Sequence, residues 1–171
     1  MVKKTELTYT KDQVYSLMQS ICDEYNIELH IIDNKKEAEE LGWKFNCGCC
    51  SLHNYIGISH FTYKRNSLER KLIAFFHEFA HCKLSDQVPF NIPGYSLNHM
   101  SQMQYELALS NLGINFAKEK YNIVFSDDAV KWLLKQNMTY SDPEGGESCR
   151  FTKGNNKLYS IRHKIIEVEN D

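Results

Sequence analysis

The stretch that most limits what this chain can fold into runs from Ser67 to Leu84 and reads SLERKLIAFFHEFAHCKL. Leu68, Leu72, Phe75, Phe76 and Phe79 recur at helical intervals, which predicts a helix from about Ser67 to Leu84 with one apolar face. The three phenylalanines anchor that helix in a core. Asn66, followed three residues later by Glu69, has the form of a capping box at its start. Within the same helix stand His77 and His81, four residues apart, with Glu78 between them.

Residues four apart on a helix lie one above the other, so His77 and His81 can share one ion. Zinc takes neutral imidazole readily and favours four ligands, one of them water in a catalytic site. Glu78 is about 100° around the helix from His77, beside such an ion rather than on it. A zinc ion lowers the pKa of its water toward neutrality, and a neighbouring carboxylate can take the proton during attack on a carbonyl. Two solvated histidines on a polar helix face would carry the same letters. With seven histidines in the chain, the pattern HExxH arises by chance in about 2% of shuffled sequences, so its context has to decide.

Two residues compete to be the third metal ligand. Glu106, in MSQMQYELALSNLGINFA, sits at the edge of an apolar surface formed by Met103, Leu107, Leu109 or Ser110, and Phe116. A carboxylate there is costly unless it is paired or bound to a cation. His99 is nearer in sequence but falls in the proline-bounded loop SDQVPFNIPGYSLNH. A three-histidine site would match SprT-like proteases, yet NHMSQM lacks the glycine and aromatic pattern expected after that histidine. The metzincin extension wants Gly and His where this chain has Leu84 and Gln87.

The remaining pattern is that of one α+β domain. A helix from Thr10 to Asn26 carries Val14, Leu17, Met18, Ile21 and Tyr25 on one stripe. IELHIID alternates Ile27, Leu29 and Ile31 against Glu28 and His30, as a half-buried strand does. NKKEAEELGW reads as a short helix closed by Gly42. A second β region covers Trp43 to Phe61, with NYIGIS its clearest strand. Helices follow at Ser101 to Tyr121 and Asp127 to Gln136, then the glycine-rich break TYSDPEGGES and a final strand or helix, KLYSIRHKIIEVE. The 171 residues thus predict a single domain over 1–171, with a core of about 10–137 and a C-terminal extension over 138–171.

At 42% hydrophobic and 25% charged, with a formal charge of −2, the chain has an ordinary globular composition and no electrostatic reason to bind nucleic acid. No apolar run reaches the length of a membrane span, and the N-terminus lacks a secretory signal. The expected location is therefore cytoplasmic, and the six cysteines are expected as free thiols. The NMT sequon at Asn137 then has no use, because glycosylation requires a secretory route. Cys47, Cys49 and Cys50 crowd into FNCGCC. They could form a second metal site with Cys82 or Cys149, or a redox switch, or simply alternate along a strand. No matching pair at ordinary finger spacing follows them, and Cys82 reads as a small buried residue.

The order helix, strand, β region, HExxH helix, glutamate-bearing helix resembles the ImmA/IrrE family of gluzincin-like metallopeptidases. HEFAH from His77 to His81 and YELALSNLGINFA from Tyr105 to Ala117 carry the resemblance. Its layout covers about Thr10 to Gln136. It implies a zincin-like, minimal gluzincin fold: a small, mainly antiparallel sheet of three or more strands packed against the HExxH helix and the glutamate helix. It further implies zinc held by His77, His81 and Glu106, with Glu78 as catalytic base. Alanine commonly follows the liganding glutamate in that family, whereas Leu107 does here, with Ala108 next. Members often cleave a repressor or other regulatory protein and are common in phages and mobile elements. No helix-turn-helix module fits ahead of the first helix, so a stand-alone protease domain is expected.

Such a protease binds its protein substrate in extended form along a sheet edge, and NYIGIS is the candidate edge. A donor for the tetrahedral intermediate is also required, and Tyr95, His99 and His163 are candidates. The contrasting possibility is a catalytically idle, metal-stabilised module that captures a partner through the same groove.

Overall fold

The computed structural model describes residues 9–32, 34–40, 47–50, 54–59, 67–88 and 102–137. In chain order these form α1 (Lys11–Glu24), β1 (Glu28–Ile32), α2 (Lys35–Glu40), β2 (Cys47–Cys50), β3 (Tyr55–Ser59), α3 (Leu68–Lys83), a short 3-10 turn at Ser85–Gln87, α4 (Gln102–Tyr121) and α5 (Asp127–Asn137). The α+β class holds, with helix predominating.

Thr10 starts α1 with a reciprocal cap: its Oγ1 accepts from the Gln13 N–H at 3.3 Å, and Gln13 Oε1 accepts from the Thr10 N–H at 2.9 Å. Val14, Met18, Ile21 and Cys22 form its buried stripe. At its end Asn26 takes φ 54°, and the Ile27 N–H reaches back to the Cys22 carbonyl at 2.8 Å. Asparagine tolerates this left-handed position better than other non-glycine residues, and the six-to-one bond uses a carbonyl the helix leaves open. The same device closes α4, where Asn122 has φ 54° and the Ile123 N–H donates to the Ala117 carbonyl at 3.1 Å.

The three strands lie in the order β1-β3-β2. β1 pairs with β3 in parallel from Glu28↔Tyr55 to Ile32↔Ser59, while β2 pairs with β3 antiparallel from Cys47↔Ile58 to Cys50↔Tyr55. The sheet is thus mixed rather than mainly antiparallel, because a strand that precedes α2 returns beside β3 in the same direction. β3, expected at the edge, is the central strand with neighbours on both sides. Nor is β1 a simple half-buried strand. Ile27 is buried as expected, but Ile32, on the face of Glu28 and His30, is completely buried, whereas Leu29 and Ile31 are only half-buried.

Helix α3 is the hub. It packs against β2 and β3, against α1, and against α4 and α5. Leu72, Ile73, Phe75, Phe76, Phe79 and Ala80 are fully buried, which is the pattern of an interior helix rather than a surface one. Its cap lies one residue later than the sequence pattern implied: Ser67 is the N-cap and accepts from the Arg70 N–H at 3.2 Å. Glu69 is then too early to close a capping box. Its Oε1 instead accepts from the Ser126 N–H at 2.6 Å, holding the start of α5. Arg70 also lies 5.4 Å from the Trp132 ring, so α5 leans along the first turns of α3.

α4 runs antiparallel to α3: Glu106 meets His81 and His77, Ser110 meets His77, and Gly113 meets the backbone of Phe76. Its buried stripe is Glu106, Leu109, Ser110, Gly113 and Ala117. Leu107 and Phe116, expected there, are only half-buried. A Cβ on Gly113 would stand 2.8 Å from the Phe76 carbonyl carbon, closer still to its oxygen, and 3.2 Å from the His77 nitrogen. The two backbones touch there, one residue from a histidine of the site. Phe116 stacks on Phe79 at 4.7 Å, and Tyr25 meets Phe79 edge-on at 5.0 Å, so α1, α3 and α4 share one aromatic cluster.

Gly42, Asn66, the residues from Pro89 to Ser101 and the segment 138–171 lie outside the described residues, as do the expectations placed on them. Among the described residues no helix is long and apolar enough to cross a membrane.

Gly113→Ala tests the helix contact by its sign. In an open helix this change stabilises by about 1 kcal/mol, whereas here the added methyl meets backbone that can yield only by separating α3 from α4. The expected result is a net loss of about 1–3 kcal/mol in urea unfolding. A higher midpoint than the wild type would show that the helices separate freely.

Candidate metal centre

His77 and His81 project from the last two turns of α3, with ring centroids 4.9 Å apart and planes at 80°. Across from them α4 presents Glu106, which is 4% exposed. Its Oε2 lies 2.9 Å from Nε2 of His77 and 2.9 Å from Nε2 of His81. One carboxylate oxygen thus faces the same nitrogen of both rings. On the α3 side one ligand atom each from His77, Glu78 and His81 lies within 4.8 Å of the others, a spacing that can hold a metal ion. Glu78 is half-buried, whereas His77 is buried.

The electrostatics follow from that geometry. Burial alone would raise the Glu106 pKa, but hydrogen bonds from His77 and His81, together with their charge, outweigh it and hold the carboxyl well below its usual range. A dry carboxylate of this kind needs positive charge or N–H donors beside it. The two Nε2 atoms meet that need either as donors or as lone pairs sharing a cation with the same oxygen. The donor set, two imidazoles and a carboxylate, fits a zinc-type ion.

Three further residues shape the site. His77 Nδ1 lies 2.7 Å from Ser110 Oγ, one turn beyond Glu106 on α4. Asn137, the last residue of α5, donates from Nδ2 to the same hydroxyl. The Tyr105 ring stands edge-on to His81, with centroids 5.8 Å apart. Sequence reasoning assigned no role to Asn137 or Tyr105, and took Ser110 only as a possible member of an apolar stripe. The signal that could have found Ser110 is its place one turn after Glu106, on the same face of α4. Asn137 carried no such signal, because only the packing of α5 brings it near.

Of the residues expected at the site, the structure brings together His77, Glu78, His81 and Glu106. Tyr95, His99 and His163 lie outside the described residues. Cys82, next to His81, is half-buried rather than buried, and its Sγ lies 3.9 Å from the Tyr55 carbonyl oxygen. Cys22 and Cys82 are thiols rather than disulfide partners, and burial, aided by Cys82 and Asp23, pushes the Cys22 thiol up to about 12. Cys47 and Cys49 stand opposite Ile58 and Ile56 on β2. Cys149 lies outside the described residues. No family model, curated protein or solved structure matches the chain.

A carboxyl held below its ordinary value stabilises the fold above its unfolded pKa, near 4.5, and that contribution is lost as pH falls. Metal-free protein is therefore expected to lose stability progressively below about pH 4.5. In Glu106→Gln the acid limb of the unfolding profile should flatten. An acid limb of unchanged steepness in that variant would place the responsible carboxylate elsewhere.

Proposed function

We propose that the chain is a zinc-dependent endopeptidase of the ImmA/IrrE kind, acting in the cytoplasm on a regulatory protein. The observation that carries this reading is the single Glu106 oxygen 2.9 Å from both imidazole Nε2 atoms, with Glu78 within the same 4.8 Å group as the two rings. His77, His81 and Glu106 would hold the ion, and Glu78, half-buried beside them, would act as the base.

Bound zinc supplies Lewis acidity, activating water near neutral pH and polarising the scissile carbonyl. Glu78 accepts the proton as water attacks and returns it to the departing amine nitrogen, so that the peptide C–N bond breaks and a carboxylate and an amine are released. Ser110 and Glu106 orient the imidazoles. The buried phenylalanines of α3 keep water from the core side of the site, where charge interactions gain strength.

The extended substrate belongs beside β2 in this reading. β3 is paired on both sides and cannot accept another strand. Among the described residues β2 pairs on one side only, and it packs against α3. A substrate strand added there would use main-chain hydrogen bonds from Cys47–Cys50. A zincin-like fold and independence from nucleic acid and membrane are parts of the same proposal.

Protein purified without added metal should contain one zinc per chain by elemental analysis. Glu78→Gln should keep that zinc while losing about 10²–10⁴-fold in cleavage rate. Labelling new protein N-termini in cells that express the wild type or Glu78→Gln identifies the substrate, as termini present only with the wild type. Equal termini and equal phenotype in the two strains would assign the groove to partner capture rather than cleavage.

A further inference from the structure

Resting on the metal-centre reading above, we propose that Ser110 and Asn137 are positioning residues: Asn137 holds the Ser110 hydroxyl, and the hydroxyl holds the His77 ring with Nε2 toward Glu106, accepting from Nδ1–H when Nε2 binds an ion. The three side chains come from three helices. His77 is on α3, Ser110 on α4, and Asn137 ends α5. All are nearly sealed from solvent, at 5%, 0% and 2% exposed, so bulk water is not a ready substitute partner for any of them.

The chemistry of the shared atom permits the ion-holding direction. A serine hydroxyl offers one donor and two acceptor lone pairs. Asn137 Nδ2 can only donate, so it occupies one lone pair of Oγ. The other stays open to His77 Nδ1–H at 2.7 Å. With the proton on Nδ1, Nε2 carries a lone pair that could share a cation with Glu106 Oε2, 2.9 Å away. Metal-bound histidines in general have their second nitrogen fixed in this way, and loss of the fixing partner weakens the metal about 10–100-fold.

The hydroxyl has a property that a carboxylate in its place would lack. By rotating its own O–H toward Nδ1, Ser110 can also satisfy the opposite tautomer, in which Nε2–H donates to Glu106. His77 can therefore pass between an ion-free and an ion-holding arrangement without turning its ring. A fixed ring orientation in both states favours quick and reversible loading.

The arrangement also explains the fate of the sequon at Asn137. Its amide is a buried structural donor, 2% exposed, and not a site for a glycan. It ties the centre to the end of α5, whose start is fixed to α3 through Glu69 and Ser126.

The test compares wild type, Ser110→Ala, Ser110→Thr and Asn137→Ala for zinc dissociation constant by chelator competition. It adds the visible spectrum of the cobalt-loaded proteins and the urea midpoint of the metal-free ones. Ser110→Ala should raise the dissociation constant about 10–100-fold and alter the cobalt bands, and Asn137→Ala about 3–10-fold. Ser110→Thr, which keeps the hydroxyl, should remain within about threefold of wild type. In zinc-loaded wild type, long-range proton–nitrogen NMR should show His77 protonated at Nδ1. Unchanged zinc affinity and cobalt bands in Ser110→Ala overturn the proposal, even if its urea midpoint falls, because the hydroxyl is then structural only. A wild type that binds no zinc fails the metal-centre reading itself and takes this inference with it.

Discussion

A carboxylate buried between two helices is the constraint on which the rest of this structure turns. Glu106 is almost wholly out of water, and such a group costs several kcal/mol to bury unless its charge is met at close range. His77 and His81 meet it from one side with equal distances of 2.9 Å to one oxygen. For that to happen two consecutive turns of α3 must lie against α4 in one register. The apolar face of α3 and the small residues of α4 secure that register. A slide of one turn by either helix would take one of the two imidazoles away from the carboxylate.

The placement of the groups on helices rather than loops matters for their chemistry. A helix turn fixes the separation of His77 and His81 before any ligand arrives, and an interior helix has little freedom to tilt. Glu78 and His81 are half-buried, whereas His77 and Glu106 are buried. The site thus spans a buried part, His77 and Glu106, and a wetter part, Glu78 and His81.

Much of this was legible in the sequence because it is local. Helical periodicity located α1, α3, α4 and α5 to within a few residues, and the HEFAH spacing alone brought both imidazoles to one face. Glu106 was legible for a subtler reason, as a charge in the apolar surroundings of LALSNLGINFA. Pairing between distant strands was not. Nothing in the five residues of β1 records whether β3 runs beside them in parallel, nor that β3 rather than β2 is central, since those choices depend on how the intervening chain crosses the sheet. The α3 cap was misplaced by one residue because Asn66 and Ser67 are both good caps, and the competing use of Glu69 lies 57 positions away. Gly113 was visible as an isolated glycine in a helical pattern, a signal that often marks close backbone approach, but its partner was not.

That glycine bears on how the protein can change over time. Where two helices are held apart by side chains, each exchange of a large residue for a small one resets their distance and drags any site between them along. Here Gly113 lets α4 rest directly on the main chain of Phe76, a stop that does not vary with the identity of the residues around it. The aromatic cluster of Tyr25, Phe79 and Phe116 is therefore free to drift in composition while the span between the imidazoles and the carboxylate stays constant. Descendants of this chain can diverge widely in their core, provided that position 113 keeps no side chain.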